Sequence, residues 1–314
     1  MGSPLLSSPS SSARSPWSAL VLAGLLSLVG FLMLIMLIGF WQSGMGMTQD
    51  TLQRFLQGEL GLIEQGGFWF LAIQVMNQLL MWAVPAFLVA TWLGGIPQHL
   101  GLRQSYHMQH VLWATLCILA AIPLVQATYI PADSFQLPEF MKEWEADMLA
   151  REAQTQAALT FLFSNKSLGA VLGNLLVFAI TPAICEELFF RGLLQGQLSK
   201  VFSAHLAIWI TAALFSVIHF QFLGFFPRLL LGALLGYFYY FSGSLIPAIL
   251  AHFAYNAFSF SLAYAAYAQE WVDPAMAEDG APMPWYLVLG SLAAVGYLMW
   301  RFSRNPSPKE MLNE

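Results

Sequence analysis

Cys185-Glu186-Glu187-Leu188-Phe189-Phe190-Arg191-Gly192 sets three ionisable side chains inside one of the most apolar stretches of a 314-residue chain in which only 9% of residues are charged. An ionisable group at membrane depth costs roughly 2.5 to 3.5 kcal/mol on insertion scales, so by default it marks a functional site. Further along the chain, Phe215 with His219 and His252 with Asn256 form two more polar pairs in equally apolar surroundings. Two carboxylates, a guanidinium, two imidazoles and a carboxamide gathered in such segments point to chemistry.

The rest of the chain supports a membrane setting. It is 58% hydrophobic with a mean hydropathy of +0.64, which predicts an all-α, polytopic helical membrane protein rather than a soluble globule. Apolar runs extend from residue 17 to residue 300 and leave no room for a separate soluble domain. The net charge of -5 and the lack of a basic stripe exclude a nucleic-acid partner. Cys117 and Cys185 both fall in apolar segments, so neither a disulfide framework nor a thiolate metal site is indicated.

Residues 1–16 are Ser- and Pro-rich and read as a disordered tail. Trp17 to Phe40 carries no charge and is longer than a signal-peptide core, so it reads as a retained first span. Further spans are expected at about Gly67–Trp92, Val111–Ile130, Leu168–Cys185, Val201–Phe220, Leu229–Phe241, Leu245–Ala268 and Trp285–Trp300, eight in all. They divide the chain into N-terminal helices with an outer amphipathic segment (17–165), a catalytic core (166–268), and a last helix with an acidic loop and tail (269–314). Within the Pro131–Ser167 connection, Met141, Trp144, Met148 and Leu149 recur at helical spacing among Glu143, Glu145 and Asp147, the pattern of an interfacial helix.

Lysines and arginines lean towards cytoplasmic termini. That orientation puts Arg14, Arg103, Arg191, Lys200, Arg301, Arg304 and Lys309 inside, and Arg54, Lys142, Arg151, Lys166 and Arg228 outside.

Residues four apart share a helix face, so Glu187 and Arg191 are expected to pair and orient the helix end. Glu186 points about 100 degrees away from Glu187, without a local cation, and is free to act as a base. His252 and Asn256 are also four apart, and their N–H groups suit a developing oxyanion. The plainer alternatives are glutamates snorkelling at a helix end, a His-Asn pair holding helices together, and a histidine packed in the core. If the fourth helix stopped at Cys185, Glu186 would lie at the surface while His219 lay roughly 20 Å deep. Continuing that helix to about Lys200 brings both to the same depth.

Glu186-Glu187-x-x-x-Arg191, Phe215-x-x-x-His219 and His252-x-x-x-Asn256, in this order, resemble the motifs of the CPBP intramembrane proteases, also called Abi or CAAX-protease-like. The resemblance covers about Asn174 to Phe260. It implies an intramembrane endopeptidase in which Glu186 and His219 activate a water and His252 and Asn256 stabilise the oxyanion, with Glu187 and Arg191 orienting. Implied partners are the bilayer and a membrane-associated peptide or protein, from prenylated CAAX tails to peptide pheromones and bacteriocin-like precursors. Glu186, His219 and His252 would also make a His-His-Glu zinc site, yet no His-Glu-x-x-His helix frames it. Metal-free water activation is the preferred expectation. The alternatives are a non-catalytic membrane scaffold of the same family and a proton-coupled transporter, the latter without the inverted repeats it requires.

Overall fold

The computed structural model describes residues 14–44, 70–102, 106–131, 134–165, 167–268 and 283–304. The expected N-terminal tail up to residue 13, the acidic loop 269–282, and Arg54, Arg103, Lys166 and Lys309 lie outside the described residues. So does Lys166's share of the charge balance.

The main helices are α1 (Pro16–Gly44), α2 (Phe70–Trp92), α3 (Met108–Ala120), α4 (Lys142–Ser164), α5 (Leu168–Leu198), α6 (Ala204–Val217), α7 (Phe225–Ser242), α8 (Leu245–Ala268) and α9 (Trp285–Ser303). No strand occurs among the described residues, and the chain is an all-α polytopic membrane protein. Each expected span overlaps a helix among the described residues, and Val111–Ile130 holds two short ones, Met108–Ala120 and Ile122–Gln126. By length and composition, α1, α2, α5 and the Leu245–Ala265 part of α8 suffice to cross a membrane, while α3 and α6 are shorter apolar helices.

Helix α5 is continuous over 31 residues. The Ser167 hydroxyl caps its start by accepting from the Ala170 N–H at 3.3 Å, and two widened π-helical stretches, Leu176–Ile180 and Leu188–Gln195, flank the two glutamates. The first precedes Pro182, which lacks an N–H to give the previous turn, and the Thr181 hydroxyl donates to the Leu176 carbonyl there at 2.8 Å. A third stretch, Leu79–Ala83 in α2, precedes Pro85; here Ser27 of α1 donates to the Met81 carbonyl at 2.8 Å. Such π-turns occur often at functional sites.

The short α6 sets the depth of the site. At 14 residues it rises only ~21 Å, less than the ~30 Å hydrocarbon core. Its C-terminal turn follows Val217. His219 lies in that turn rather than inside the helix as expected, and Phe220 next to it has φ +52°. Glu186 stands twelve residues before Leu198, roughly 18 Å along α5, so the α5–α6 hairpin carries both to one level.

Glycines allow the close approach of α7. A Cβ at Gly232 would stand 3.1 Å from Ala212 of α6, and one at Gly236 would stand 2.9 Å from Ile208 and 2.8 Å from the Gln195 side chain. Gly243, left-handed at φ +67°, ends α7 and turns the chain directly into α8. Arg14 over Trp92 (4.6 Å), Trp17 against Phe202 (6.0 Å) and Phe238 against Phe302 (5.3 Å) gather one end of the bundle.

Helix α4 occupies the opposite end. Tyr129 donates to Glu152 at 3.0 Å, the Gln221 amide to Thr155 at 3.4 Å, and Asn174 to the Leu162 carbonyl at 3.0 Å. Of the expected apolar stripe, Met141 belongs to the short turn before α4, and Trp144, half-exposed, packs on Phe222 with ring centres 5.6 Å apart.

Candidate active site

Arg191 is fully buried, so its charge must be met inside the protein. Nη1 donates to Glu187 Oε1 at 2.6 Å, Nη2 to the Gly232 carbonyl at 3.1 Å, and the guanidinium lies 4.7 Å from the centre of the Phe215 ring. The absence of a Cβ at Gly232 lets α7 come near enough for that carbonyl to serve. Arg191 thus stands mid-helix, not at a helix end, and it cannot count as a cytoplasmic charge. Without it, the charge lean towards cytoplasmic termini shrinks to six against five.

Glu187, also fully buried, serves a second partner. Its Oε1 accepts from His252 Nδ1 at 2.9 Å. A carboxylate can only accept, so this nitrogen carries the proton and Nε2 is left to face Glu186 Oε2 at 4.0 Å. A neutral His252 so held offers a lone pair at Nε2. As an imidazolium it would donate there.

Glu186 is not without neighbours either. Gln78 of α2 donates from Nε2 to Glu186 Oε1 at 2.9 Å. His219 is oriented by its own chain: Nδ1 meets the Phe215 carbonyl at 2.7 Å, and since a carbonyl only accepts, the free lone pair lies on Nε2. Phe215 is the hub of the floor. Its ring contacts Phe190 (5.2 Å), His219 (5.0 Å) and His252 (6.2 Å), and Trp82, Phe189 and Phe190 pack behind it.

Glu186, His219, His252 and Asn256 line one cavity of about 390 Å³. Gln74 and Gln78 of α2, Gln126 and Tyr129 after α3, Arg228 of α7, and Tyr255 and Ser259 of α8 complete its polar wall. Of the lining residues, Tyr129 belongs to the end where α4 lies, opposite the start of α1 and the end of α9. Arg228 donates to the carbonyl and side chain of Gln221, beside the turn that carries His219.

Gln74, Gln78, Gln126, Tyr129 and Arg228 were not singled out from the sequence. Gln74 and Gln78 could have been, since they are amides four apart in an apolar span, the same signal carried by His252 and Asn256.

The donor types of Glu186, His219 and His252 suit zinc, but among the described residues no three His, Cys, Asp or Glu side chains stand close enough together to hold a metal ion. Glu187 already occupies one nitrogen of His252. The arrangement as it stands does not form a ligand set.

The fold and site define an integral membrane protein with a buried, carboxylate- and imidazole-lined cavity. Residues 168–258 match the family model of the type II CAAX prenyl endopeptidase Rce1-like proteins, and this segment holds all three motifs. The match is consistent with the motif resemblance. No curated protein and no solved structure matches the chain.

Proposed function

We propose that the chain is an intramembrane endopeptidase of the CAAX type that hydrolyses a peptide bond in a membrane-associated peptide or protein. The observation that carries this is the convergence of Glu186, His219, His252 and Asn256, from three separate motifs, on one cavity.

A water between Glu186 and His219 Nε2 would meet an acceptor for each of its protons, leaving an oxygen lone pair for the substrate carbonyl. Glu186 takes one proton as the oxygen bonds to the carbonyl carbon. The carbonyl π electrons move onto oxygen, and the amide N–H of Asn256, with an imidazolium His252, stabilises that charge. The carbon–nitrogen bond then breaks, and the proton on Glu186 passes to the leaving amine. Glu187 and Arg191 act on His252 rather than on the substrate. Prenylated CAAX tails are the first substrate class to test, because the matched family is described as prenyl endopeptidases.

In this proposal the polypeptide crosses the membrane eight times, and residues 166–268 form the catalytic core. Membranes carrying the native chain and the Glu186→Gln variant, compared by proteomics for peptide termini, test the function. Termini present only with the native chain support a protease, and identical profiles point to a scaffold instead.

A further inference from the structure

Gln78 lies outside the segment that matches the CAAX endopeptidase family, on α2, yet it lines the cavity beside Glu186. Its two amide atoms have different situations. Nε2 donates to Glu186 at 2.9 Å, whereas Oε1 is buried with no hydrogen-bond partner among the described residues. An amide acceptor left so is costly unless a donor arrives. The position is well fixed: Gln78 immediately precedes the π-helical turn Leu79–Ala83, which α1 clamps through the Ser27 hydrogen bond to Met81 and the close packing of Gly30 on the Leu80 carbonyl.

Which donor can arrive is limited by the site. The water of the proposed reaction has two protons, and Glu186 and His219 accept both. Asn256 and an imidazolium His252 face the oxyanion. A peptide substrate brings its own donors, the backbone N–H groups on either side of the bond to be cut.

We infer that Gln78 is a substrate-binding residue whose Oε1 accepts one backbone N–H of the bound peptide while its Nε2 holds Glu186, so that one side chain sets the peptide in register with the base. This rests on the protease reading above and adds a contact from outside the matched domain. Gln74, one turn earlier on the same wall, extends the polar strip in the direction of the chain. The ligand it fits is a peptide in extended form, whose N–H groups are free of internal hydrogen bonds.

The test uses full-length protein and a peptide whose cleavage is lost in Glu186→Gln membranes. Each backbone N–H flanking the cut bond is replaced in turn by an ester oxygen. At one position we expect the native enzyme to lose roughly 10- to 100-fold in kcat/KM. Gln78→Met, which also releases Glu186, should lose at least as much on the all-amide peptide and show no further loss at that same position. A Gln78 that merely supports the fold would leave the two losses multiplicative. A native enzyme indifferent to every ester replacement overturns the inference without needing any variant to fold, and would mean that only water meets Oε1. If no peptide depends on Glu186, the protease reading falls and this inference with it.

Discussion

Glu187 Oε1 accepts from His252 Nδ1 at 2.9 Å, and the same oxygen accepts from Arg191 Nη1 at 2.6 Å. A cation anchored by a backbone carbonyl of α7 thus holds a carboxylate on α5, which in turn holds an imidazole on α8. The adjacent Glu186 lies 4.0 Å from the other nitrogen of that imidazole and lines the cavity. Neighbouring positions in the chain serve a buried scaffold and an open site.

Removing the carboxylate charge should damage both. Glu187→Gln leaves Arg191 buried and unpaired, at a cost of about 3 to 5 kcal/mol, and frees His252 to rotate. We expect a lower melting temperature in detergent together with lower cleavage. Glu187→Gln combined with Arg191→Met should recover much of the stability and little of the activity. A Glu187→Gln protein melting like the native one would contradict the buried pair.

Crowding at α7 should act through the same helices. Gly236→Ala puts a Cβ 2.8 Å from the Gln195 side chain and 2.9 Å from Ile208, and overpacking of this kind costs roughly 1 to 3 kcal/mol. Thermal melting should fall accordingly. Gly290→Ala in α9, where a Cβ meets nothing within 4 Å, is the control and should melt as the native protein does.

Orientation can be read by labelling single cysteines from outside intact cells. If the termini are cytoplasmic, sites in the 131–153 segment and the 270–279 loop should react, and sites beside Arg103 or Arg301 should not. Tyr129→Cys, at the position that meets Glu152 of α4, should then label with the first group. The reverse pattern would invert the protein in the membrane.

Much of the site was legible because its signals are local. The i,i+4 pairing of Glu187 with Arg191 needs only helical geometry, and the continuation of α5 past Cys185 follows from requiring Glu186 and His219 to share a depth. What the sequence did not disclose depends on distant packing. Gln78 meets Glu186 across 108 residues, and His252 meets Glu187 across 65. His219 left its helix because α6 ends at Val217, although the apolar run continues to Phe220. Hydropathy cannot see that boundary, since it records composition and not where the chain turns within the bundle.

Exhaustive chelation distinguishes the two ways of activating water. We expect purified enzyme to keep its activity after chelator and dialysis, because Glu186 and His219 can accept both protons of a water without further help. Stoichiometric bound zinc, with activity lost to chelator and regained on adding the metal, would replace that mechanism while keeping the protease.

The most direct test of the proposed chemistry is the cleavage rate of two single variants, Glu186→Gln and His219→Ala, measured on a peptide the native enzyme cuts. Both changes preserve the Glu187–Arg191–His252 assembly, so both proteins should melt within a few degrees of the native one. Each should lose cleavage by roughly 100-fold or more. Near-native turnover by either folded variant would contradict the assignment of the cavity as the site of hydrolysis.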